Sequence, residues 1–241
     1  MALQQQGIHS QFDEGLTSIA RLPIRSGESR SLVGLNRGFF ELLEEQARVA
    51  QPTHANTVLL REVSERWRRM NSRARQRVAS CPYLLVDAGF ADASRWSSVE
   101  TNPPPPATQL PFFTVRRAPE FARQVFLYAW HVSQSRRSPV VQALLGLPTH
   151  CARRIGSCTV SQISDLAGRH PEWVRPRWSN LVNFWCELLV AAASGEAVTL
   201  EAARMHGVQL LAAEFLAASR TEKLPSDPIA TRRDEDAGES K

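Results

Sequence analysis

The sequence predicts an all-α protein in which a proline-rich linker joins two helical units. Apolar residues recur at intervals of three and four along most of the 241 residues, which is the period of one face of an α-helix. Prolines and glycines separate these runs, as they do where helices end. Hydrophobic residues make up 43% and charged residues 22% of the chain, which is typical of a globular protein with a packed core.

The N-terminal arm, residues 1–31, mixes polar and scattered apolar residues without a period, so we expect it to be flexible. The N-terminal helical unit then covers residues 32–101. Its first helix is predicted from Leu32 to about Gln51, because Pro52 disfavours helix in the residue before it.

A second helix is predicted to run unbroken from a cap at Asn56 to Cys81, with an apolar stripe that faces the core. The opposite face is rich in arginine: Arg61, Arg66, Arg68, Arg69, Arg73, Arg75 and Arg77. Guanidinium groups match phosphate oxygens, so Arg66, Arg69 and Arg73 are candidates for DNA contact.

The alternative for this face is an ordinary solvated surface. Glu62 precedes Arg66 by four residues and Glu65 precedes Arg69 by four, so both pairs are spaced for ion pairs along one helix.

Residues 83–90 form a short apolar run that is either a buried strand or an irregular core segment, and periodicity does not distinguish these. Residues 102–117 are the predicted linker. Four consecutive prolines, Pro103–Pro106, favour an extended polyproline II conformation there. We therefore place the boundary between the two units in this segment.

The C-terminal unit covers residues 118–220. Pro119 opens its first helix, whose inward face is rich in aromatic residues. The candidates for a dimer or partner interface on this helix are Phe121, Val125, Phe126 and Trp130. A short helix is predicted from Pro139 to Gly146.

Two longer helices complete this unit. Ser194 and Gly195 end the first, and Thr199 caps the second, within which Gly207 predicts a close contact. Residues 221–241 are polar, charged and proline-bearing, so we expect a disordered tail.

Two short helices with a tight turn between them are predicted within residues 143–178. Pro148 suits the first turn of the first helix, and Gly156 is placed to end it in a left-handed cap. Thr159 followed by Gln162 is a capping box, which starts the second helix. A glycine-containing turn of about three residues is typical of a helix-turn-helix, whose second helix lies in the DNA major groove. The same arrangement of two short helices and a tight turn, which we call the corner, also occurs in purely structural helical proteins.

The corner resembles the FlhD family of flagellar transcriptional regulators over about residues 121–178. The positions that carry the resemblance are Leu145, Gly146, Leu147, Ala152, Ile155, Thr159, Gln162, Leu166, Ala167, Arg177 and Trp178. The resemblance implies an all-helical unit that dimerises through its long helices and works with a zinc-binding FlhC partner to bind promoter DNA and activate transcription. Val174 stands where the family has a cysteine, so a covalent link between subunits is not expected at that point.

Polar and basic residues surround the corner. The candidates for DNA contact here are Arg153, Arg154, Ser161, Gln162, Ser164, Arg169, Arg175 and Arg177. The net charge of +5 also favours an acidic partner, although a GC-rich genome would enrich arginine as well. Against DNA binding, Asp165 would repel phosphate, and Trp173 and Trp178 are typical of packing anchors. The same surface is therefore also suited to binding protein.

Motif searches give no support for catalysis. The chain lacks the P-loop, dinucleotide-binding, zinc-protease and nucleophile-elbow patterns, so we expect no enzyme activity and no cofactor. The nearest approach to a metal site is the set His150, Cys151, Cys158 and His170, but buried cysteines usually act as small hydrophobes, so no metal is expected either.

The four cysteines contain no C-x-x-C pair, which favours reduced thiols in the cytoplasm. The first residues lack a signal-peptide pattern, and the longest apolar run, 188–193, is too short to span a bilayer. We therefore expect a cytoplasmic protein without a membrane partner.

These observations lead to two functional hypotheses. The first is a transcriptional regulator resembling FlhD, an activator that binds DNA as a homodimer or through an FlhC-like partner subunit. The alternative is a helical adaptor or assembly protein that binds other proteins without nucleic acid.

Overall fold

The computed structural model describes residues 26–49, 57–97, 111–134 and 139–222. The all-α prediction is confirmed, since these ranges form ten α-helices and almost no strand. The helices are α1 (Ser26–Val49), α2 (Thr57–Arg69), α3 (Ser72–Ala79), α4 (Ala93–Ser97), α5 (Ala118–Gln134), α6 (Pro139–Leu144), α7 (Thr149–Ser157), α8 (Val160–Arg169), α9 (Val182–Ser194) and α10 (Ala197–Glu222). A 3-10 turn covers Pro171–Trp173, and two short strands, β1 (Val86–Asp87) and β2 (Arg175–Pro176), pair in antiparallel fashion.

One hydrophobic core runs through the described helices on both sides of the proline-rich segment. Helix α1 packs against α2 and α3 and also against α5, while α9 packs against α2, α3 and α10. Helices α7 and α8 both lie on α5. The helices assigned to the two predicted units thus share one core, and neither set has a separate core within the described part of the chain. Residues 98–110, which include the four prolines, lie outside the described residues.

Aromatic side chains join α1, α2 and α9. Phe40 stacks on Trp67 with ring centroids 4.3 Å apart, and Phe39 lies 5.6 Å from Trp185. All four rings are buried. Burying an aromatic side chain of this size stabilises the fold by about 1.5–3 kcal/mol, so this cluster is a main reason why α1, α2 and α9 stay together.

A buried asparagine positions the segment between α3 and β1. The Nδ2 group of Asn36 donates to the backbone oxygens of Ala79 (3.2 Å) and Tyr83 (3.0 Å), and its Oδ1 accepts from the N–H of Leu85 at 2.9 Å. The run that sequence left open as strand or irregular segment is buried and mostly irregular, and only β1 pairs with another strand. Asn36 supplies the partners that a strand ladder would otherwise provide.

The predicted start of the first helix is wrong. Helix α1 begins at Ser26 and not at Leu32, so the end of the predicted arm is helical. Residues 1–25 and the predicted cap Asn56 lie outside the described residues.

The predicted unbroken second helix is also wrong, because it breaks at Asn71. The Asn71 side chain accepts from the N–H of Ala74 at 2.9 Å and so caps α3. Arg75 turns back and donates to the carbonyl oxygens of Trp67 and Arg68, both at 3.1 Å, which gives partners to the last carbonyls of α2. Its guanidinium also lies over the Trp67 ring, 5.1 Å from the centroid.

Several predicted helix ends are confirmed. Helix α6 begins at Pro139 and Gly146 follows it at φ +67°, while α9 ends at Gly195 with φ +77°. The predicted cap at Thr199 is wrong, because α10 begins at Ala197 and Thr199 lies within its first turn. A Cβ atom at Gly207 would overlap the hydroxyl of Tyr83, so the predicted close contact is with this ring.

The described part of α10 ends at Glu222, and residues 223–241 of the predicted tail lie outside the described residues. None of the described helices combines the length and apolar character needed to cross a lipid bilayer.

Candidate nucleic-acid interface

The corner consists of α7 and α8 with only two residues between them. Pro148 is the N-cap of α7, and the helix continues through Gly156 to Ser157. The predicted left-handed cap at Gly156 is therefore wrong. The predicted capping box of α8 is confirmed, since the hydroxyl of Thr159 accepts from the N–H of Gln162 (3.2 Å) and the Gln162 side chain accepts from the N–H of Thr159 (2.8 Å).

Side chains near the end of α5 form hydrogen bonds with the turn of this corner. The indole of Trp130 donates to the carbonyl oxygen of Cys158 at 2.8 Å, and the amide of Gln134 donates to that of Gly156 at 2.7 Å. A Cβ atom at Gly156 would lie 3.3 Å from the backbone oxygen of Ser133, so the helices touch at this glycine. The orphan carbonyls at the end of α7 are thus bound by α5 side chains.

The inner faces of the two helices are apolar and buried. Cys151, Ala152 and Ile155 lie inward on α7, and Ile163, Leu166 and Ala167 lie inward on α8. Because this face is locked on α5, the opposite face of α8 points to solvent along the whole helix.

Helix α8 carries four of the eight candidates predicted around the corner, namely Ser161, Gln162, Ser164 and Arg169. Ser161, Gln162, Asp165 and Arg169 are exposed, and Ser164 is half-buried. The Gln162 side chain is engaged in the capping box, and Arg169 donates from Nε to the backbone oxygen of Asp165 at 3.4 Å. Val160, at the start of the helix, is also 48% exposed.

Arg153 and Arg154 lie on the exposed side of α7. Within the part of the chain that the structure describes, neither guanidinium forms an ion pair. Both charges are therefore available to an anionic partner.

The prediction that Arg177 contacts DNA is wrong. Its side chain is only 1% exposed, so it does not reach a DNA backbone. It donates to the carbonyl oxygens of Leu145 (2.6 Å) and Val86 (3.4 Å) and pairs with Glu214 at 3.0 Å. A Cβ atom at Gly146 would lie 2.5 Å from its Nη1 atom, so that glycine makes room for the guanidinium. Arg177 is a structural link between β1, the end of α6 and α10.

Arg175 is half-buried in β2 and is likewise a poor candidate for DNA contact. Burial lowers the pKa of its guanidinium, as does the nearby Arg95, while Asp87 and Glu172 act in the opposite sense. Arg95, Asp87 and Glu172 form a charged cluster with Arg175 at the paired strands.

The prediction that aromatic residues of α5 form a dimer or partner interface is also wrong. Phe121, Val125 and Phe126 are buried within the chain itself and cannot serve as an exposed dimer surface. Phe121 lies against Gly38 of α1, where a Cβ atom would come within 3.3 Å of its ring. Trp130 is half-buried and holds the corner.

The arginine-rich face of the first half is divided by the break at Asn71. The predicted ion pairs exist, with Arg66–Glu62 at 3.7 Å and Arg69–Glu65 at 2.5 Å. Both arginines remain partly exposed, and Arg73 is exposed without an ion pair in the described residues.

Two further arginines of this run bind inward. Arg75 caps α2, and Arg77 donates from Nε to the backbone oxygen of Ala192 at 2.7 Å. Helices α2 and α3 pack on α1 and α9, whereas the corner packs on α5, so the two sets of arginines belong to different parts of the molecule.

A groove of about 340 Å³ opens where α2 meets α3 beside α9, and we call it the α2–α9 groove. The buried residues Met70, Ala74 and Leu189 form its apolar floor, and the exposed residues Asn71, Val190 and Ala193 also line it. Arg66 and Arg69 stand at its rim. Sequence reasoning missed this groove because it depends on the break between the two helices.

The set His150, Cys151, Cys158 and His170 does not assemble. The described residues contain no group of three or more histidine, cysteine, aspartate or glutamate side chains that could hold a metal ion. His170 is instead buried, stacked on Trp173 at 4.6 Å, with its Nδ1 atom 2.8 Å from the carboxylate of Glu172.

Sequence reasoning also missed two contacts. Glu214 pairs with Arg177, and the side chain of Gln134 donates a hydrogen bond to the turn. The sequence signal for the contact between α5 and the turn was Trp130. An indole N–H that is taken out of water needs an acceptor, which favours a role for this side chain inside the chain.

No protein-family model, no curated protein and no solved structure matches this chain. The resemblance to the FlhD family therefore rests on the residues of the corner alone.

Proposed function

We propose that this protein is a DNA-binding transcriptional regulator resembling FlhD, with α8 as the helix that enters the major groove. The observation that carries the proposal is the polar, exposed outward face of α8 beside two arginines of α7 that form no ion pair within the described residues. An HTH-type reader places the start of its second helix at the base edges and uses neighbouring cations to bind phosphate.

Asp165 fits this proposal as a base contact. A carboxylate repels the phosphate backbone, but it accepts a hydrogen bond from the amino group of cytosine at the base edge. The phosphate contacts are assigned to Arg153 and Arg154, and Ser161 and Ser164 are assigned to the bases. The side-chain carbonyl of Gln162 accepts a hydrogen bond in the capping box, so its amide N–H groups are the donors assigned to DNA.

The remaining parts of the proposal are a homodimer or an FlhC-like partner, and activation of transcription. Because Phe121, Val125 and Phe126 fill the chain's own core, a dimer has to form through another surface. Sedimentation velocity of the purified chain tests the homodimer: a single species of monomer mass at micromolar concentration would remove it from the proposal.

Fluorescence anisotropy with labelled mixed-sequence duplex DNA, titrated against salt, tests DNA binding. We expect binding at low salt and a linear fall of log affinity with log salt. Replacing both Arg153 and Arg154 by alanine should make this dependence less steep, by about 0.9 in slope for each phosphate that the variant no longer neutralises.

The matched control is Arg37→Ala, which removes one exposed charge from α1, outside the corner. Its salt slope should equal that of the wild type. No binding at low salt would reject direct DNA binding and favour the adaptor hypothesis, since electrostatic attraction is strongest there.

A further inference from the structure

We propose that the α2–α9 groove docks a segment of a partner protein that presents apolar side chains flanked by carboxylates. The proposal concerns a surface separate from the corner, and it stands whether or not α8 binds DNA.

The apolar floor is the first argument. Val190 is 54% exposed, and it lies in the groove with Met70, Ala74 and Leu189, which the surrounding helices bury. An inserted apolar side chain would therefore remove Val190 from water and contact a wall that is already packed.

The rim charge is the second argument. Residues 57–79 contain seven arginines and only two glutamates. Arg66 and Arg69 line the groove, and each forms an ion pair with the glutamate four residues before it on α2. Arg68 and Arg73 are exposed nearby in sequence and form no ion pair within the described residues. Because Arg66 and Arg69 are paired, the excess positive charge beside the groove comes from Arg68 and Arg73, and this charge favours acidic side chains.

The combination favours a polypeptide over a nucleic acid. A duplex presents phosphates and sugars to a helix surface and offers nothing to fill an apolar floor, whereas an amphipathic segment supplies both chemistries at once.

The groove is held open by the fold itself. Asn71 caps α3, and Arg75 binds the last carbonyls of α2 while stacking on Trp67. The break that forms the groove is therefore built from satisfied hydrogen bonds, and docking needs little rearrangement of its walls.

The experiment is fluorescence anisotropy of the full chain with a labelled amphipathic peptide that carries a leucine stripe flanked by glutamates. A peptide with lysine in place of each glutamate is the charge control. We expect the acidic peptide to bind and the basic peptide not to bind. Val190→Glu and Arg69→Glu should each weaken the acidic peptide by about tenfold or more.

Two matched variants on α2 lie away from the groove. Val58 is 53% exposed, almost as Val190 is, and Arg61 is an exposed arginine at the start of the same helix. Val58→Glu and Arg61→Glu should leave peptide affinity within about twofold of the wild type, as should the alanine variants of Arg153 and Arg154.

Three results would overturn the proposal. In the first, Val190→Glu and Val58→Glu bind the peptide equally well. In the second, duplex DNA binds this surface and is weakened by Arg69→Glu but not by Val190→Glu, which would assign the arginines to nucleic acid. In the third, the chain self-associates and Val190→Glu abolishes the association, which would make a second copy the occupant.

Discussion

Asn36 is the residue on which the buried segment between α3 and β1 depends, because its side chain pairs with three backbone groups. Asn36→Ala leaves those groups without partners in the interior. We expect the free energy of unfolding to fall by about 3 kcal/mol, since each unsatisfied buried group costs roughly 1–3 kcal/mol. Urea denaturation measures the change.

Asn183→Ala is the control, because Asn183 is exposed on α9. It should change stability by less than about 0.5 kcal/mol. Equal effects of the two substitutions would contradict the role assigned to Asn36.

Glu214 predicts a pH dependence of stability. Burial raises the pKa of this carboxyl, and the Arg177 guanidinium opposes that rise only in part. A carboxyl whose pKa is raised on folding contributes stability below its ordinary value of 4.5, and this contribution is lost as the pH rises through the raised value. Glu214→Gln cannot ionise, so its stability relative to the wild type should increase between about pH 4 and pH 7. Urea unfolding at both pH values gives the sign, and a decrease would refute the assignment.

The thiols should differ in reactivity. Cys81 and Cys151 are buried, whereas Cys158 and Cys186 are partly exposed. Burial raises the pKa of the Cys81 thiol to about 11, so almost no thiolate is present near neutral pH. Ellman's reagent should label Cys158 and Cys186 first, and mass spectrometry of the labelled peptides identifies the sites. Early labelling of Cys81 would contradict its place in the core.

Single residues differ in how far sequence can place them. The exposure of Arg153 and Arg154 follows from the helical period, because their neighbours Ala152 and Ile155 face inward. The burial of Arg177 does not, because its partners are carbonyls of Val86 and Leu145 and a carboxylate of α10. Only the folded chain brings those groups together.

At the scale of elements, two glycines on α7 and α8 offer a matched comparison. Gly168 has open space around a built Cβ atom, whereas a Cβ atom at Gly156 meets the Ser133 backbone at 3.3 Å. Gly168→Ala should stabilise the protein by up to about 1 kcal/mol through helix propensity. Gly156→Ala should lose that gain or destabilise the protein, because α7 is pressed away from α5. Thermal unfolding followed by circular dichroism compares the two, and equal stabilisation would show that the helices are not in close contact.

The capping box that starts α8 was predictable, but the cap predicted at Thr199 lies inside α10, and a break that leaves the apolar period intact could not be predicted. The Thr159–Gln162 capping box is local and gave the start of α8. Across the break at Asn71, however, Trp67, Met70, Ala74 and Val78 keep the spacing of three and four, so the apolar stripe is typical of one continuous helix. The break depends on Arg75 turning back to α2, which spacing does not reveal.

For the whole molecule, the shared core predicts cooperative unfolding. Trp67 and Trp185 belong to the cluster around α1, while Trp96 and Trp173 pack on Phe126 of α5. If these clusters are parts of one core, tryptophan fluorescence and far-ultraviolet circular dichroism should give the same urea midpoint. Two separate midpoints would favour the predicted division into two independent units.

The fold class was predictable because helical periodicity is a property of each segment. The way in which the helices pack was not, because Phe39 of α1 meets Trp185 of α9 across most of the chain. A proline run indicates that the backbone is stiff at one place, but it does not determine whether the helices on either side share a core.

The buried guanidinium of Arg177 also constrains the order in which the protein can be completed during synthesis. Its carboxylate partner Glu214 lies 37 residues further along the chain, so the charge has to stay hydrated until that glutamate has left the ribosome. A nascent chain that stops before α10 would carry a buried charge without its counter-ion, which costs roughly 3–5 kcal/mol. The contacts of Arg177 with β1 and the end of α6 therefore reach their final form only after α10 has been synthesised.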